Sequence, residues 1–221
     1  MAIDPQWRPI GHRQRDQWAA AAQQLGLRHY RGTVRIAPLI TGTIDGFDLH
    51  ITCTDDRSDA PKPVTVYNID YRPIGGPIRI ARETTLTKVG VMSRMIEVAD
   101  LQIGDREFDK LALIEAADIE TAKAFLTPNR RRVISEFFGN ASLREGVVSE
   151  ARTTFKTRRV EGSKNRLIGN TLGMVQFARI LTSRQSTGQL APMENLAPET
   201  PLRSYFEDPS ESDIQDELKP Y

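Results

Sequence analysis

The sequence LITGTIDGFDLHITCT, residues 39–54, decides the fold of this chain. Isoleucine, threonine and other strand-favouring residues flank Asp45-Gly46, a dipeptide that readily adopts the positive φ angles of a tight hairpin turn. Similar runs follow further along the chain, and together they predict a four-stranded meander. Its strands are predicted at 33–43, 47–54, 64–71 and 77–85.

Apolar residues recur at helical spacing on both sides of this meander. Over 14–25 they fall on one face, which predicts an N-terminal helix. Asp118 and Thr127 are typical N-cap residues, and the apolar stripes after them predict two consecutive helices within 118–138. A broader stripe predicts a long helix at 164–183.

Two more hairpins complete the predicted architecture. The Gly104-Asp105 dipeptide separates two apolar runs within 101–114 and is typical of a turn. A final strand pair is predicted at 143–148 and 152–160. The fold class is therefore predicted to be α+β, with a largely antiparallel sheet and helices packed on it.

Composition indicates a protein of a reducing compartment. The 221 residues are 39% hydrophobic, which is enough for a substantial core. Cys53 is a single cysteine and excludes an intramolecular disulfide. The start MAIDPQWRP lacks the apolar region of a secretory signal, and no stretch is apolar and long enough to cross a bilayer. A cytoplasmic protein without a transmembrane segment is expected.

Charge is distributed unevenly along the chain. Residues 127–184 contain 12 Lys/Arg against 4 Asp/Glu, a net charge of +8, whereas 185–221 contain 2 against 8, a net charge of −6. The second segment is rich in proline and polar residues and poor in large apolar ones, a composition that cannot offset chain entropy by burial. The sequence predicts a single domain over 1–184 and an acidic, mostly disordered tail over 185–221.

Motifs for catalysis are missing from the sequence. There is no G-x-S-x-G nucleophile elbow, Walker loop or dinucleotide fingerprint. His50 and Cys53 are three apart on a predicted strand, so they point to opposite faces and cannot readily share a metal. No cofactor and no metal site are predicted, and the sequence favours binding over catalysis.

The basic block is the strongest candidate for a binding surface. Three consecutive arginines fall in the first turns of a predicted helix, where each exposed positive charge opposes the helix dipole at a cost of about 0.3–1 kcal/mol. Residues 152, 156 and 158 share strand parity and are expected to line one face. Local pairing with Glu136, Glu145, Glu150 or Glu161 is the competing interpretation. The candidate binding residues are Arg130, Arg131, Arg132, Arg152, Lys156, Arg158 and Arg159.

An acidic cluster supplies the alternative function. Asp105, Glu107 and Asp109 alternate, so an extended chain would present three carboxylates on one face. Such a group can bind a hard cation or act as an acid/base pair, as in a metal-dependent hydrolase. Solvated flanks of a turn are the simpler interpretation.

The predicted function is that of a non-enzymatic binding or adaptor protein. Its basic surface, at about 130–166, would engage a protein or another anionic partner. Nucleic acid and an anionic membrane surface stay open as partners. The acidic tail has the opposite charge and is expected to compete with an outside anion for this surface.

One resemblance to known proteins is visible. It rests on Leu39–Gly42, Asp45-Gly46-Phe47 and the run Ile103–Asp109 before two helices. On these residues the chain resembles bacterial α+β domain proteins without a known activity. The resemblance implies one unit over about 33–183 and transfers no site residue.

Overall fold

The computed structural model of this chain describes residues 10–33, 36–55, 63–82, 101–140 and 142–183. Five helices and eight strands lie in these ranges. The helices are α1 (His12–Leu25), α2 (Arg106–Leu111), α3 (Ile119–Phe125), α4 (Pro128–Phe138) and α5 (Lys164–Thr182). The strands are β1 (Arg28–Tyr30), β2 (Leu39–Ile44), β3 (Phe47–Asp55), β4 (Pro63–Asp70), β5 (Ile78–Arg82), β6 (Ala112–Ala116), β7 (Leu143–Ser149) and β8 (Arg152–Thr157).

All eight strands form one antiparallel sheet in the order β1-β2-β3-β4-β8-β7-β5-β6. The predicted α+β class is confirmed, together with the N-terminal helix, the consecutive helices α3 and α4 and the long helix α5. The β2–β3 turn is also as predicted, with φ of 52° at Asp45 and 81° at Gly46. Asp118 and Thr127 cap α3 and α4, each through a side-chain oxygen that accepts from the backbone.

Three predictions of local structure were wrong. The fourth meander strand, now β5, pairs with β6 and β7 instead of β4, because β8 and β7 insert between them. The predicted hairpin within 101–114 is a loop, the helix α2 and the strand β6. The first strand was predicted to start at 33 but starts at Leu39, and the short β1 precedes it. The tail predicted at 185–221 lies outside the described residues.

Helices α1, α4 and α5 cover one face of the sheet. Phe155 of β8 contacts Tyr67 of β4 and Phe137 of α4, with ring centroids 5.3 Å and 5.8 Å apart. Phe137 in turn stacks on Phe177 of α5 at 4.5 Å. All four rings are fully buried, and such aromatic contacts dominate the energetics of a core.

Helix α1 is fastened to the start of α5. The fully buried Trp18 donates its indole N–H to the carbonyl oxygen of Glu161 at 2.9 Å. The side chain of Gln17 accepts from the backbone N–H of Lys164 at 3.1 Å. These contacts bring the segment between β8 and α5 against the first turns of α1.

The face of the sheet opposite these helices, the second face, carries polar pairs between neighbouring strands. Thr43 bonds to its register partner Asp48 at 2.7 Å, and Arg79 pairs with Glu115 at 2.8 Å. Each cross-strand pair of this kind stabilises a sheet by about 0.2–1 kcal/mol. None of the helices in the described ranges is long and apolar enough to cross a membrane.

Candidate functional site

Arg130 has a structural contact at the start of α4. Its Nη1 donates to the carbonyl oxygen of Phe125 at 3.1 Å, and its guanidinium carbon lies 4.6 Å from the centroid of the Phe125 ring. Burial lowers the pKa of this guanidinium. Arg130 therefore joins the end of α3 to the start of α4, where its side chain is half-buried.

The next two arginines of α4 pair with carboxylates. Arg131 lies 3.2 Å from Asp105, and Arg132 lies 2.7 Å from Glu136. Arg132 also donates to the side-chain oxygen of Asn129 at 3.1 Å. The pair Arg132–Glu136 is one that the local-pairing interpretation predicts, whereas Asp105 was not among the predicted partners.

Arg152 and Lys156 lie on the second face, as strand parity predicts. Arg152 makes two hydrogen bonds to Asp70, its register partner on β4, one of them Nη2 to Oδ2 at 2.9 Å. That hydrogen-bonded carboxylate raises the pKa of Arg152. Lys156 lies 2.7 Å from Glu145, its register partner on β7. Both cations are thus part of the polar pairing across the sheet.

Arg158 and Arg159 differ from the other five because they follow the last residue of β8. Both are exposed, and neither has an ion-pair partner within the described ranges. Arg82 of β5 donates to the carbonyl oxygen of Leu143, the register partner of Thr157, so Arg82 lies close to the point where β8 ends and Arg158 follows. Burial, and second the positive charge of Arg158, lower the pKa of Arg82. We call these three residues, Arg82, Arg158 and Arg159, the arginine cluster.

The seven predicted residues therefore do not share one surface. Arg130, Arg131 and Arg132 lie in the helix layer, whereas Arg152 and Lys156 lie across the sheet on the second face. Arg158 and Arg159 stay together at the end of β8. The role of these seven residues in binding stays a prediction.

Arg82 is a member of the cluster that sequence reasoning missed. It belongs to β5, far from the basic block in the sequence, and reaches β8 only because β7 pairs with both strands. Its Nη1 donates to the carbonyl oxygen of Leu143 at 2.6 Å. A sequence signal for this contact requires the strand order, which spacing alone does not provide.

The acidic cluster takes part in local structure around α2. Asp105 is the N-cap and accepts from the backbone N–H of Phe108 at 3.3 Å. Asp109 accepts from the backbone N–H groups of Ile103 and Gly104, both at 3.1 Å. The prediction that an extended chain aligns the three carboxylates was wrong, because this segment is helical.

Glu107 completes the cluster on a different side of α2. Its carboxylate pairs with Lys110 at 2.9 Å, and its side chain is 83% exposed. A surface cavity of about 270 Å³ adjoins the helix and is lined by Asp109 together with Gln102, Gly104, Arg106 and Lys110. One carboxylate among two cations is not a typical donor set for a hard cation.

Other candidates for metal binding or nucleophilic chemistry are separated. His50 bonds to Thr41 at 3.2 Å on the second face, whereas Cys53 is buried on the opposite face, as predicted. Burial raises the pKa of the Cys53 thiol, so it is protonated and a poor nucleophile at neutral pH. Across the described ranges, no three His, Cys, Asp or Glu residues come together as metal ligands.

Comparisons with known proteins give a structural likeness and no match in sequence. No protein-family model and no curated protein sequence matches the chain. One solved structure that resembles it is the crystal structure of the mycobacterial trehalose monomycolate transport factor A, TtfA, with 10% sequence identity and a TM-score of 0.43. The match covers 77% of this chain and 92% of that protein. At this score the likeness says nothing about function, and the resemblance to bacterial α+β proteins stays a prediction.

Proposed function

We propose that this chain is a non-enzymatic binding or adaptor protein that engages an acidic segment of a protein partner through the arginine cluster. The observation that supports this proposal is the placement of Arg158 and Arg159. They are adjacent and exposed, they have no ion-pair partner within the described ranges, and the positive charge of Arg158 acts on a third arginine, Arg82. The neighbouring cations of β8 are each held by a carboxylate.

Electrostatics explains why such a cluster favours an anionic partner. Arg158 and Arg159 are adjacent like charges without an ion-pair partner in the described ranges, and adjacent like charges repel each other. A carboxylate that approaches replaces this repulsion with charge-assisted hydrogen bonds, which are about twice as strong as neutral ones. Guanidinium groups also match carboxylates in geometry and can bind them in a bidentate way.

The charge balance favours a protein partner over nucleic acid or membrane. The whole chain has a net charge of +1 and a pI of about 7.9, and the net charge of −6 over 185–221 opposes the approach of a polyanion such as nucleic acid. Lipid recognition by charge commonly requires about 4–8 clustered basic residues, more than the three arginines here. Two or three acidic side chains of a partner segment are a better match for this number.

The other predicted basic residues can add to the binding surface of the arginine cluster but are not its centre. The pairs Arg132–Glu136 and Arg152–Asp70 are partly exposed, and such pairs are worth only about 0.2–1 kcal/mol. A strongly acidic partner can therefore exchange with their carboxylates. The alternative of a metal-dependent hydrolase that uses Asp105, Glu107 and Asp109 stays a prediction, and the contacts of Asp105 and Asp109 do not favour it.

Charge reversal in the full chain tests the proposal. The probe is a fluorescently labelled peptide of alternating Glu and Ser, and its binding is followed by anisotropy at low and at physiological salt. We expect R158E/R159E to weaken binding by about tenfold or more, equivalent to about 1.4 kcal/mol. The control R28E/R72E changes the same number of exposed arginines away from the cluster, because Arg28 lies on the edge strand β1 and Arg72 follows the end of β4 that pairs with the start of β8. We expect a change below about twofold.

Equal losses in the two variants would mean that only net charge matters, and the proposal would then be wrong. Duplex DNA and phosphatidylserine vesicles serve as competing probes. If the chain binds DNA or vesicles more tightly than the peptide at the same salt concentration, and R158E/R159E abolishes this binding, the partner is a nucleic acid or a membrane and not a protein. Circular dichroism of both variants shows whether the fold is retained.

A further inference from the structure

The surface cavity beside α2 has a fixed shape. It is lined by residues of this helix and of the loop before it, and its volume is about 270 Å³. Ile103 of the loop and Phe108 of the helix are buried in the core. The backbone N–H of Leu101 donates to the carbonyl oxygen of Ile114 on β6 at 3.0 Å, which attaches the loop to the sheet. Both walls of the cavity are therefore held by packing and hydrogen bonds.

Asp109 joins the helical wall of the cavity to the loop wall. Its Oδ1 accepts from the backbone N–H of Ile103 and its Oδ2 from that of Gly104, both at 3.1 Å. The side chain is half-buried and lines the cavity. A carboxylate can accept about four hydrogen bonds, so Asp109 can accept further bonds from a donor group of a ligand.

Two cations line the cavity from the same side of α2 as Asp109. Arg106, Asp109 and Lys110 are three and four positions apart, a spacing that places side chains on one face of a helix. Arg106 is exposed and has no ion-pair partner within the described ranges. Lys110 pairs with Glu107 at 2.9 Å, but this pair is exposed and therefore weak. Like charges four residues apart destabilise a helix, and an anion that binds both cations relieves this repulsion.

We infer that this cavity binds a free α-amino acid. The carboxylate of the ligand accepts from Arg106 and Lys110, and its ammonium group donates to Asp109. Guanidinium groups match carboxylates in geometry, and charge-assisted hydrogen bonds are about twice as strong as neutral ones. The inference goes beyond the proposed function, because neither Arg158 nor Arg159 is among the described residues that line the cavity.

The size and the charge of the cavity together favour this class of ligand. Pockets that hold drug-sized molecules measure about 300–1,000 Å³, and this cavity is slightly smaller. Two cations and one carboxylate complement a small molecule that carries both signs of charge a few bonds apart. A simple carboxylate has no donor for Asp109, whereas a simple amine is repelled by the two cations.

The test compares the binding of L-alanine, acetate and ethylamine to the full chain. The backbone amide shifts of Gly104 and Lys110 in proton–nitrogen correlation spectra are followed at low salt, because exposed charges are screened at higher ionic strength. We expect L-alanine to give saturable shifts with a Kd in the millimolar range. Acetate and ethylamine should each bind at least about threefold more weakly, because each lacks one of the two charged groups.

Two variants identify the groups that bind the ligand. Arg106→Gln should weaken the binding of L-alanine by about fivefold or more, and that of acetate to a similar extent. Asp109→Asn should abolish the preference for L-alanine over acetate, because the variant lacks the negative charge that the ammonium group contacts. The matched control Arg28→Gln removes an exposed arginine from β1, at the opposite edge of the sheet from β6, and we expect a change below about twofold.

The outcomes that would overturn the inference are separate from those of the peptide experiment. If L-alanine gives no saturable shift, or binds no more tightly than acetate, the cavity is not an amino-acid site. An unchanged affinity of Arg106→Gln for L-alanine would exclude it as well, since the carboxylate would then bind elsewhere. The comparison of the three ligands uses the natural chain, so it decides the question even if Asp109→Asn loosens the loop.

Discussion

Replacement of Asp105 distinguishes a structural carboxylate from a catalytic one. Asp105 has two partners, the backbone N–H of Phe108, which it caps, and the guanidinium of Arg131 at 3.2 Å. Asp105→Ala removes both contacts. Asp105→Asn keeps an N-cap of equal quality and removes only the charge.

The free energies of unfolding of the two variants should differ by the contribution of the N-cap hydrogen bond. Loss of an N-cap aspartate costs about 1 kcal/mol. The pair with Arg131 is 27% and 36% exposed on its two sides, and pairs of this kind contribute about 0.2–1 kcal/mol. We therefore expect Asp105→Ala to lower the free energy of unfolding by about 1–2 kcal/mol and Asp105→Asn by about 0.2–1 kcal/mol.

Urea unfolding followed by circular dichroism measures both values. The cycle Asp105→Asn with Arg131→Gln isolates the ion pair, and we expect a coupling energy of about 0.2–1 kcal/mol. Residues of an active site are often held at the expense of stability, so replacing a catalytic carboxylate commonly leaves stability unchanged or raises it. An unchanged or higher stability of Asp105→Ala would refute the capping role and favour the hydrolase alternative.

Two further predictions concern the core. A Cβ at Gly146 would lie 2.9 Å from Phe138 Cε1, so Gly146→Ala should lower the free energy of unfolding in urea by about 1–3 kcal/mol. The double variant with Phe138→Leu should lose less stability than the two single variants together. Additive losses would contradict this contact. Burial raises the pKa values of Cys53 and Tyr71 above their ordinary 9.0 and 10.0, so both groups lose their protons at a lower pH in the unfolded chain than in the folded one. The free energy of unfolding should therefore fall above about pH 9, by up to about 1.4 kcal/mol per pH unit for each group. Cys53→Ala and Tyr71→Phe should each flatten this fall, and an unchanged slope in both variants would show that other groups cause it.

Local patterns in the sequence were sufficient for most elements of the fold. The Asp45-Gly46 turn and the caps at Asp118 and Thr127 act through neighbouring backbone, so spacing along the chain reveals them. The hairpin prediction for 101–114 was wrong because the six residues of α2 are too few to show a helical period in the sequence. Strand order failed as well, since the insertion of β8 and β7 beside β4 depends on contacts between distant residues.

The basic block shows the same division between local and distant information. Strand parity placed Arg152 and Lys156 on one face, but their partners Asp70 and Glu145 are fixed by register, which the sequence does not reveal. The pairing takes both cations out of competition for an outside anion unless that anion displaces a carboxylate. Parity therefore predicts where a charge points, and register decides whether that charge is free.

The end of β8 marks the position where this pairing stops. Thr157 is the last strand residue, and its partner on β7 is Leu143, which accepts from Arg82 through its carbonyl oxygen. Arg158 and Arg159 lie one and two residues beyond the sheet, where no neighbouring strand supplies an opposing carboxylate within the described ranges. The arginine cluster therefore requires that β8 ends at Thr157 and that β7 pairs with both β8 and β5. Shortening the pairing between β7 and β8 should therefore separate Arg82 from Arg158 and weaken anion binding without removing any arginine.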